Sequence, residues 1–294
     1  MPELPEVEVT RRGLVPLLRK RTITAIWWSG NSLRIPVNLS LLNNECLKQS
    51  VEAIHRRAKN ILIRLSNGAV LRIHLGMTGK LAVLDSQIPR AKHDHLIFSL
   101  DNNQEFRFND VRRFGLVEVW ASQSARQKER SFSQSEGLEP LSNDFQPLRL
   151  MELAARRTVP VKAFLMNSKL VAGIGNIYAN EALFLAKLSP FTPAKEVTVE
   201  QWKTLCTACV TVLKKAIKAG GSSISDFLAT NGQPGYFQLQ LKVYGQKGLP
   251  CPVCRTPIEK STLAGRATFC CPSCQPSPLL SVAQKKHTKK RNNS

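Results

Sequence analysis

Two groups of residues in this chain have types and spacings suited to chemistry. The first is the opening, Met1-Pro2-Glu3-Leu4-Pro5-Glu6. Proline carries a secondary amine only when it is the first residue; inside a chain its nitrogen is an amide. Methionine ahead of a small residue such as Pro2 is usually excised. The amine so freed titrates near 8, which leaves a neutral fraction at pH 7, and nearby cations would enlarge it. A secondary amine is a good nucleophile and forms iminium ions. Glu3, next to it, is a carboxyl suited to general acid work. The same residues also read as a proline-stiffened helix cap, with Pro5 in the first turn and Glu6 and Glu8 at the positive end of the dipole; Glu6 fits that structural or orienting role.

The second group is Cys251-Pro-Val-Cys254 and Cys271-Pro-Ser-Cys274, separated by sixteen residues. Each CxxC forms a knuckle that supplies two tetrahedral thiolates, so the four cysteines predict one structural zinc ion. A segment this short and this polar needs such a clip to fold. Cys270 is the spare, because only Cys271 gives the two-residue spacing. Cys206-Thr-Ala-Cys209 is a decoy: it lies in a long helical stretch beside Leu205 and Leu213, and its i, i+3 spacing fits core packing better than redox or metal work. Between the knuckles, STLAGRATF predicts a hairpin with Arg266 at its tip, either solvated or functional.

The chain has 294 residues, enough for about two domains. With 43% hydrophobic and 21% charged residues it is globular. Lys and Arg number 42 against 21 Asp and Glu, a net charge of +21. Five of those positive charges fall in the last ten residues, and without them the body keeps about +16. A basic body points to a polyanion, most often nucleic acid. No apolar run reaches the length of a membrane span, and the first residues lack the order of a signal peptide, so a reducing compartment is expected, with thiols rather than disulfides.

Around these residues the sequence predicts a helix from Pro5 to about Leu18, with Val7 and Leu14 on one face and Pro16 kinking or ending it. Strands follow in TITAIWW, NILIRL, AVLRIHL, KLAVL, HLIFSL, EFRFN and LVEVW, a pattern that suggests a two-sheet sandwich. The polar, serine-rich run 121–143 reads as a linker. Helices come next in DFQPLRLMELAARR, VKAFLMN, NIYANEALFLAKL and VEQWKTLCTACVTVLKKAIKAG, then a Gly/Ser/Gln-rich loop and the cysteine segment. Residues 276–294 read as a disordered basic tail.

These residues closely resemble the bacterial formamidopyrimidine-DNA glycosylase family, base-excision repair enzymes for oxidised purines. The resemblance runs over about residues 1–275. It rests on PELPEVE at the start, RRAK at 56–59, HLGMTG at 74–79, NDVRRFG at 109–115, GIGNIYANEALF at 173–184 and the four cysteines. Leu4 stands where the related endonuclease VIII-like enzymes have glycine, which favours the purine branch. Val111 stands where the family usually has proline, and Gln246 where it usually has arginine.

The resemblance implies an α+β multidomain chain. An N-terminal two-sheet β-sandwich with an N-terminal helix (1–121) precedes a linker (122–143). A helix-two-turn-helix DNA-binding domain (144–240), with a lesion-covering loop at 220–237, precedes a zinc β-hairpin (241–275). It further implies that Pro2 attacks C1′ of a damaged nucleotide and that Glu3 serves as acid toward the sugar. Lys59 would work near the abasic sugar in β-elimination, and Arg266 in δ-elimination and phosphate binding. Because a base must be flipped out of the duplex, Met77, Arg112 and Phe114 are expected to fill the void. From residue type alone Met77 and Phe114 read as core, although Gly76 and Gly79 favour a turn around Met77. His93, Arg157, Lys162 and Asn176 are expected DNA contacts, Asn176 at a helix start whose free N–H groups suit a phosphate. The implied partner is damaged double-stranded DNA, with no membrane and no small-molecule cofactor beyond zinc. A monomer in the bacterial cytoplasm, at the nucleoid, is expected. Two rivals stand: the same chemistry on oxidised pyrimidines, and a non-catalytic zinc-containing DNA binder.

Overall fold

A computed structural model describes residues 2–221 and 241–277. The predicted lesion-covering loop, apart from its first two residues, and the basic tail from residue 278 lie outside the described residues. The chain divides into two compact units. One comprises the chain up to Ser135 and takes in the end of the last long helix from Ala216. The other runs from Glu136 to Lys215 and resumes at Gln240.

In the first unit, α1 (Leu4–Leu18) precedes β1 (Ile23–Trp28), α2 (Leu39–Cys46), β2 (Val51–Arg57), β3 (Asn60–Leu65), β4 (Val70–His74), β5 (Lys80–Asp85), β6 (Asp94–Leu100), β7 (Gln104–Asn109) and β8 (Leu116–Trp120). These strands form two antiparallel sheets, ordered β1-β6-β7-β5 and β2-β3-β4-β8. Alternation along the strands turns Ile61, Ile63, Leu65, Leu71 and Ile73 of one sheet, and Leu81, Val83, Leu96, Phe98, Phe106 and Phe108 of the other, into one shared core. Helix α1 joins that core through Val7, Leu14 and Leu18, which share a face at helical spacing. Pro16 does not stop the helix at once; it falls in the last turn, two residues before the end.

The sequence pattern does not single out β2 or α2. It predicts a linker over 122–143, and the structure corrects this: residues Ala125–Ser135 form a helix, α3. The outer face of the second sheet carries Leu62, Val70 and Trp120, and α3 covers them with Ala125 and Phe132. Arg72 lies over the Phe132 ring at 4.4 Å, and Arg64 pairs with Glu129. Only two apolar residues, seven apart, carry the packing, so a serine-rich composition hides the helix.

Glu8 ties α1 to the sheet. Its carboxylate receives Arg11 at 2.7 Å, Arg12 at 2.8 Å and, from β2, Arg56 at 3.2 Å. Burial alone would raise its pKa, but the three guanidinium groups outweigh it and hold the carboxyl down at about 2. The folded state thus favours the charged form. Its contribution is complete above about pH 4.5 and is lost as pH falls toward 2. After allowance for solvent screening of a half-buried group, Glu8→Gln is expected to cost about 2 kcal/mol at pH 7. In urea unfolding, the gap from wild type should narrow between pH 7 and pH 3.

The second unit packs α4 (Pro147–Ala154), α5 (Val161–Met166), α6 (Asn176–Leu185) and α7 (Val199–Lys218) around Phe164, Tyr178, Leu183, Trp202 and Leu205. Cys206 and Cys209 are buried there, as core packing predicts, and burial raises both thiols, Cys206 to about 12. The unit ends in the hairpin β9 (Glu259–Leu263) and β10 (Arg266–Cys270). Among the described residues no helix is long and apolar enough to cross a membrane.

Candidate nucleic-acid interface and catalytic terminus

Pro2 and Glu3 stand immediately ahead of α1 and form its entry. Glu3 is the N-cap: its carboxylate accepts the Glu6 N–H, and Glu6 Oε2 accepts the Glu3 N–H at 2.8 Å. Both carboxylates are buried, Glu3 at 2% and Glu6 at 3% exposure, whereas Pro2 stays partly exposed. The capping box fixes the direction in which the chain enters the helix from Pro2. Gly221 lies against Glu6, so a Cβ there would sit 3.2 Å from its carboxylate.

Helix α1 packs on β2, β3 and β5. The tight turn joining β2 to β3 is Ala58-Lys59, with Ala58 at φ 54° and its carbonyl held by Arg56 at 2.8 Å. Lys59 is partly exposed. Its charge acts on His74 at the end of β4. Burial first, then Arg34, Lys59 and Arg72, push His74 down to about 3. The imidazole is therefore neutral, and its Nδ1 accepts the Gly76 N–H at 2.9 Å. Sequence reasoning gives His74 no role of its own; it holds the turn that carries Met77.

Met77, Arg112 and Phe114 come together at the surface. Met77 is 37% and Phe114 46% exposed, which rules out the core reading. The Arg112 guanidinium lies over the Phe114 ring, 4.6 Å from its centroid. The two loops touch through backbone: Gly76 has φ 64°, and a Cβ on it would meet the Phe114 carbonyl carbon at 2.4 Å. Only glycine permits that approach. Arg34 donates to the Phe114 carbonyl at 2.8 Å from the other side. His93 is partly exposed in the loop before β6.

In the second unit Asn176 opens α6 after Gly173 (φ 82°) and Gly175, and is partly exposed. Arg157 is exposed, its Nε on the Leu153 carbonyl at 2.8 Å. Lys162 must be corrected as a phosphate contact. It is 0% exposed, and its Nζ donates to the Ala267 carbonyl and to Thr268 Oγ1, both at 2.8 Å. Those acceptors follow Arg266 directly, so Lys162 holds the strand that presents Arg266. Arg266 itself is exposed beside the Ala264-Gly265 turn, at the predicted tip.

Sequence reasoning also misses what Asn180 and Glu181 do. Asn180 Oδ1 accepts the Phe269 N–H at 2.8 Å. The buried Glu181 carboxylate accepts three backbone N–H groups, from Lys242, Val243 and Tyr244, each at 2.9 Å. One turn of α6 thereby grips the whole cysteine segment. Their partners lie 61 to 89 residues away in sequence, beyond the reach of local spacing.

The ligand atoms of Cys251, Cys254, Cys271 and Cys274 all lie within 4.8 Å of one another. Tetrahedral zinc at about 2.3 Å from each sulfur needs sulfurs about 3.8 Å apart. Cys251 and Cys274 are 3.9 Å apart and Cys254 and Cys271 3.3 Å apart. Val253 and Cys274 N–H groups each point at a sulfur at 3.4 Å, which offsets thiolate charge. The residues fit a structural zinc ion. Cys270 stays out of the cluster, buried, with its thiol raised to about 11.

The similarity to known proteins covers 94% of the chain. Residues 1–117 match the formamidopyrimidine-DNA glycosylase N-terminal domain, residues 137–228 the formamidopyrimidine-DNA glycosylase H2TH domain, and residues 248–276 the zinc finger found in FPG and IleRS. A formamidopyrimidine-DNA glycosylase of Legionella pneumophila is 45% identical over 276 residues, covering 94% of this chain and 99% of that protein. One from Vibrio cholerae is 42% identical over 275 residues, covering 94% and 100%. A point mutant of the Lactococcus lactis FPG, solved with Fapy-dG-containing DNA, superposes with a TM-score of 0.85 at 33% identity over 94% of this chain and 100% of that one. The L. lactis Fpg solved with abasic-site DNA gives 0.83 at 32%, with the same coverage. The three domains follow one another along the chain in the order N-terminal domain, H2TH domain and zinc finger, and the chain belongs to the formamidopyrimidine-DNA glycosylase family.

Proposed function

We propose that this DNA glycosylase of oxidised-base repair excises oxidised purines with the free amine of Pro2 and then cuts the abasic strand as a lyase. The Pro2 nitrogen attacks C1′ as the bond to the base breaks. Glu3 takes up the proton that the Pro2 nitrogen sheds and passes it to the sugar ring oxygen as the ring opens, which leaves an iminium. Loss of a C2′ proton expels the 3′ phosphate, with Lys59 near the sugar, and a second elimination expels the 5′ phosphate, with Arg266 on that phosphate. His93, Arg157 and Asn176 hold the backbone, and Met77, Arg112 and Phe114 occupy the space the base leaves. The chain works as a monomer on DNA at the bacterial nucleoid.

The observation that carries this reading is the entry to α1. A rigid capping box of two buried carboxylates aims a residue whose only unusual chemical property, once terminal, is its amine. A DNA binder without chemistry has no use for it. Excision from duplexes bearing 8-oxoguanine or thymine glycol tests the substrate: faster release of 8-oxoguanine is expected, and faster release of thymine glycol would move the chain to the pyrimidine branch. Binding should also weaken about a hundredfold between about 50 and 200 mM salt if roughly four phosphates are neutralised. A flat response in a titration would contradict the phosphate grip.

A further inference from the structure

We propose that Asp110 is the positioning residue that joins the Met77 turn and the Arg112–Phe114 loop into one rigid wedge. The proposal rests on the reading of those three side chains as the groups that fill the opened base stack, and adds the part that makes them act together.

Asp110 is 0% exposed and touches no surface that DNA can reach. Its Oδ1 accepts the Thr78 hydroxyl, one residue after Met77. Its Oδ2 accepts the Gly115 N–H at 2.7 Å, one residue after Phe114. Thr78 completes the circuit, because its Oγ1 accepts the Arg112 N–H at 3.1 Å. A hydroxyl has one proton. A carboxylate oxygen can only accept, so that proton is directed at Asp110 and a lone pair of Thr78 Oγ1 is left to accept from Arg112, which gives the chain of bonds a single polarity from the Arg112 N–H to the carboxylate.

Asp110 is in turn fixed through its own backbone. Its N–H donates to the His93 carbonyl at 3.0 Å, and its carbonyl accepts from His95 Nε2 at 3.0 Å and from the Arg113 N–H at 3.2 Å. The space is tight as well: a Cβ at Gly115 would stand 2.9 Å from Asp110 Oδ2 and 2.5 Å from the Phe108 ring. Asparagine fills the same volume but fails electronically. Its amide nitrogen must face either the Gly115 N–H, as donor against donor, or the Thr78 hydroxyl, whose own proton then loses its acceptor.

The two loops must enter the duplex together, because the cation and both apolar groups share one void. Released from each other, they still fold but meet the stack out of register, and misplacement near 1 Å costs about a hundredfold in rate. The effect falls on duplex substrates alone, since a single-stranded abasic site has no stack to open.

The test compares excision of 8-oxoguanine from duplex with borohydride trapping on a single-stranded abasic oligonucleotide. Asp110→Asn should slow duplex excision tenfold to a hundredfold, mainly in kcat, and leave single-strand trapping within about twofold of wild type. Fluorescence of a 2-aminopurine next to the lesion, which brightens on unstacking, should fall with it. Thr78→Val, which keeps shape and removes the hydroxyl, should show the same selective loss, and Thr78→Ser should restore the wild-type rate. If Asp110→Asn does not fold, the Thr78 pair decides. Wild-type duplex excision by Thr78→Val, or equal losses on both substrates, overturns the proposal. Met77→Ala at the wild-type duplex rate overturns the wedge reading itself. A slow Met77→Ala beside normal Asp110→Asn and Thr78→Val overturns the role of Asp110 alone.

Discussion

A chain carrying even two extra residues ahead of Pro2 should bind abasic duplex normally and yet lose strand cleavage by about a thousandfold or more. The extension turns the Pro2 nitrogen from an amine into an amide. Its lone pair is then delocalised into the carbonyl and cannot attack carbon, so no iminium forms. Nothing else in the site changes: the capping box uses only the Glu3 and Glu6 backbone N–H groups and carboxylates, and survives a residue upstream. Lys59 is a primary amine that the extension leaves in place, so any cleavage that persists would pass through it or another lysine. Chains with a retained Met1 should behave like the extended chain, so activity should scale with the fraction of molecules whose first residue is proline. Quantitative terminal sequencing beside a nicking assay checks this. Normal cleavage by the extended chain would remove the amine from the mechanism.

Removing zinc should abolish DNA binding and nicking together, with the first unit still folded. The cysteine segment has little apolar material of its own. Its buried cluster is Val243, Ile258 and Phe269, with Cys251 and Cys271 themselves, packed on Phe184 of α6. Binding energies for structural zinc run to about 10 kcal/mol or more, well beyond what such a cluster supplies. Without the ion, the hairpin loses the constraint that sets β10 against Lys162 and Asn180, and Arg266 loses its place. Glu181→Ala should mimic a milder version, because three N–H groups lose one carboxylate acceptor; roughly 3 kcal/mol and weakened zinc retention are expected. Chelation followed by metal analysis, circular dichroism and a binding titration checks the first claim. Verified metal-free protein with full nicking would refute it.

How much of this is legible in the sequence follows from the range of the interactions. The four cysteines announce themselves because ligand spacing within a knuckle is local. The strands do so because alternation is local. Helix α3 is not legible: its composition is that of a linker, and the reason it folds is Leu62, Val70 and Trp120 on strands elsewhere. Lys162 misleads for a related reason. Lysine is a surface residue by habit, and its burial depends on two oxygens 105 and 106 residues away. Asp110, Asn180 and Glu181 sit inside the motifs NDVRRFG and GIGNIYANEALF, but the motifs do not say that these side chains bind other parts of the chain rather than substrate.

The central claim is that carbon of the damaged sugar becomes bonded to the nitrogen of residue 2. Borohydride reduction of the wild-type reaction on an 8-oxoguanine duplex, nuclease trimming, proteolysis and mass spectrometry locate that bond directly. The account predicts the sugar remnant on the peptide that begins with Pro2, at its terminal nitrogen. A remnant on Lys59 or any other lysine, with the terminal peptide unmodified, would contradict it.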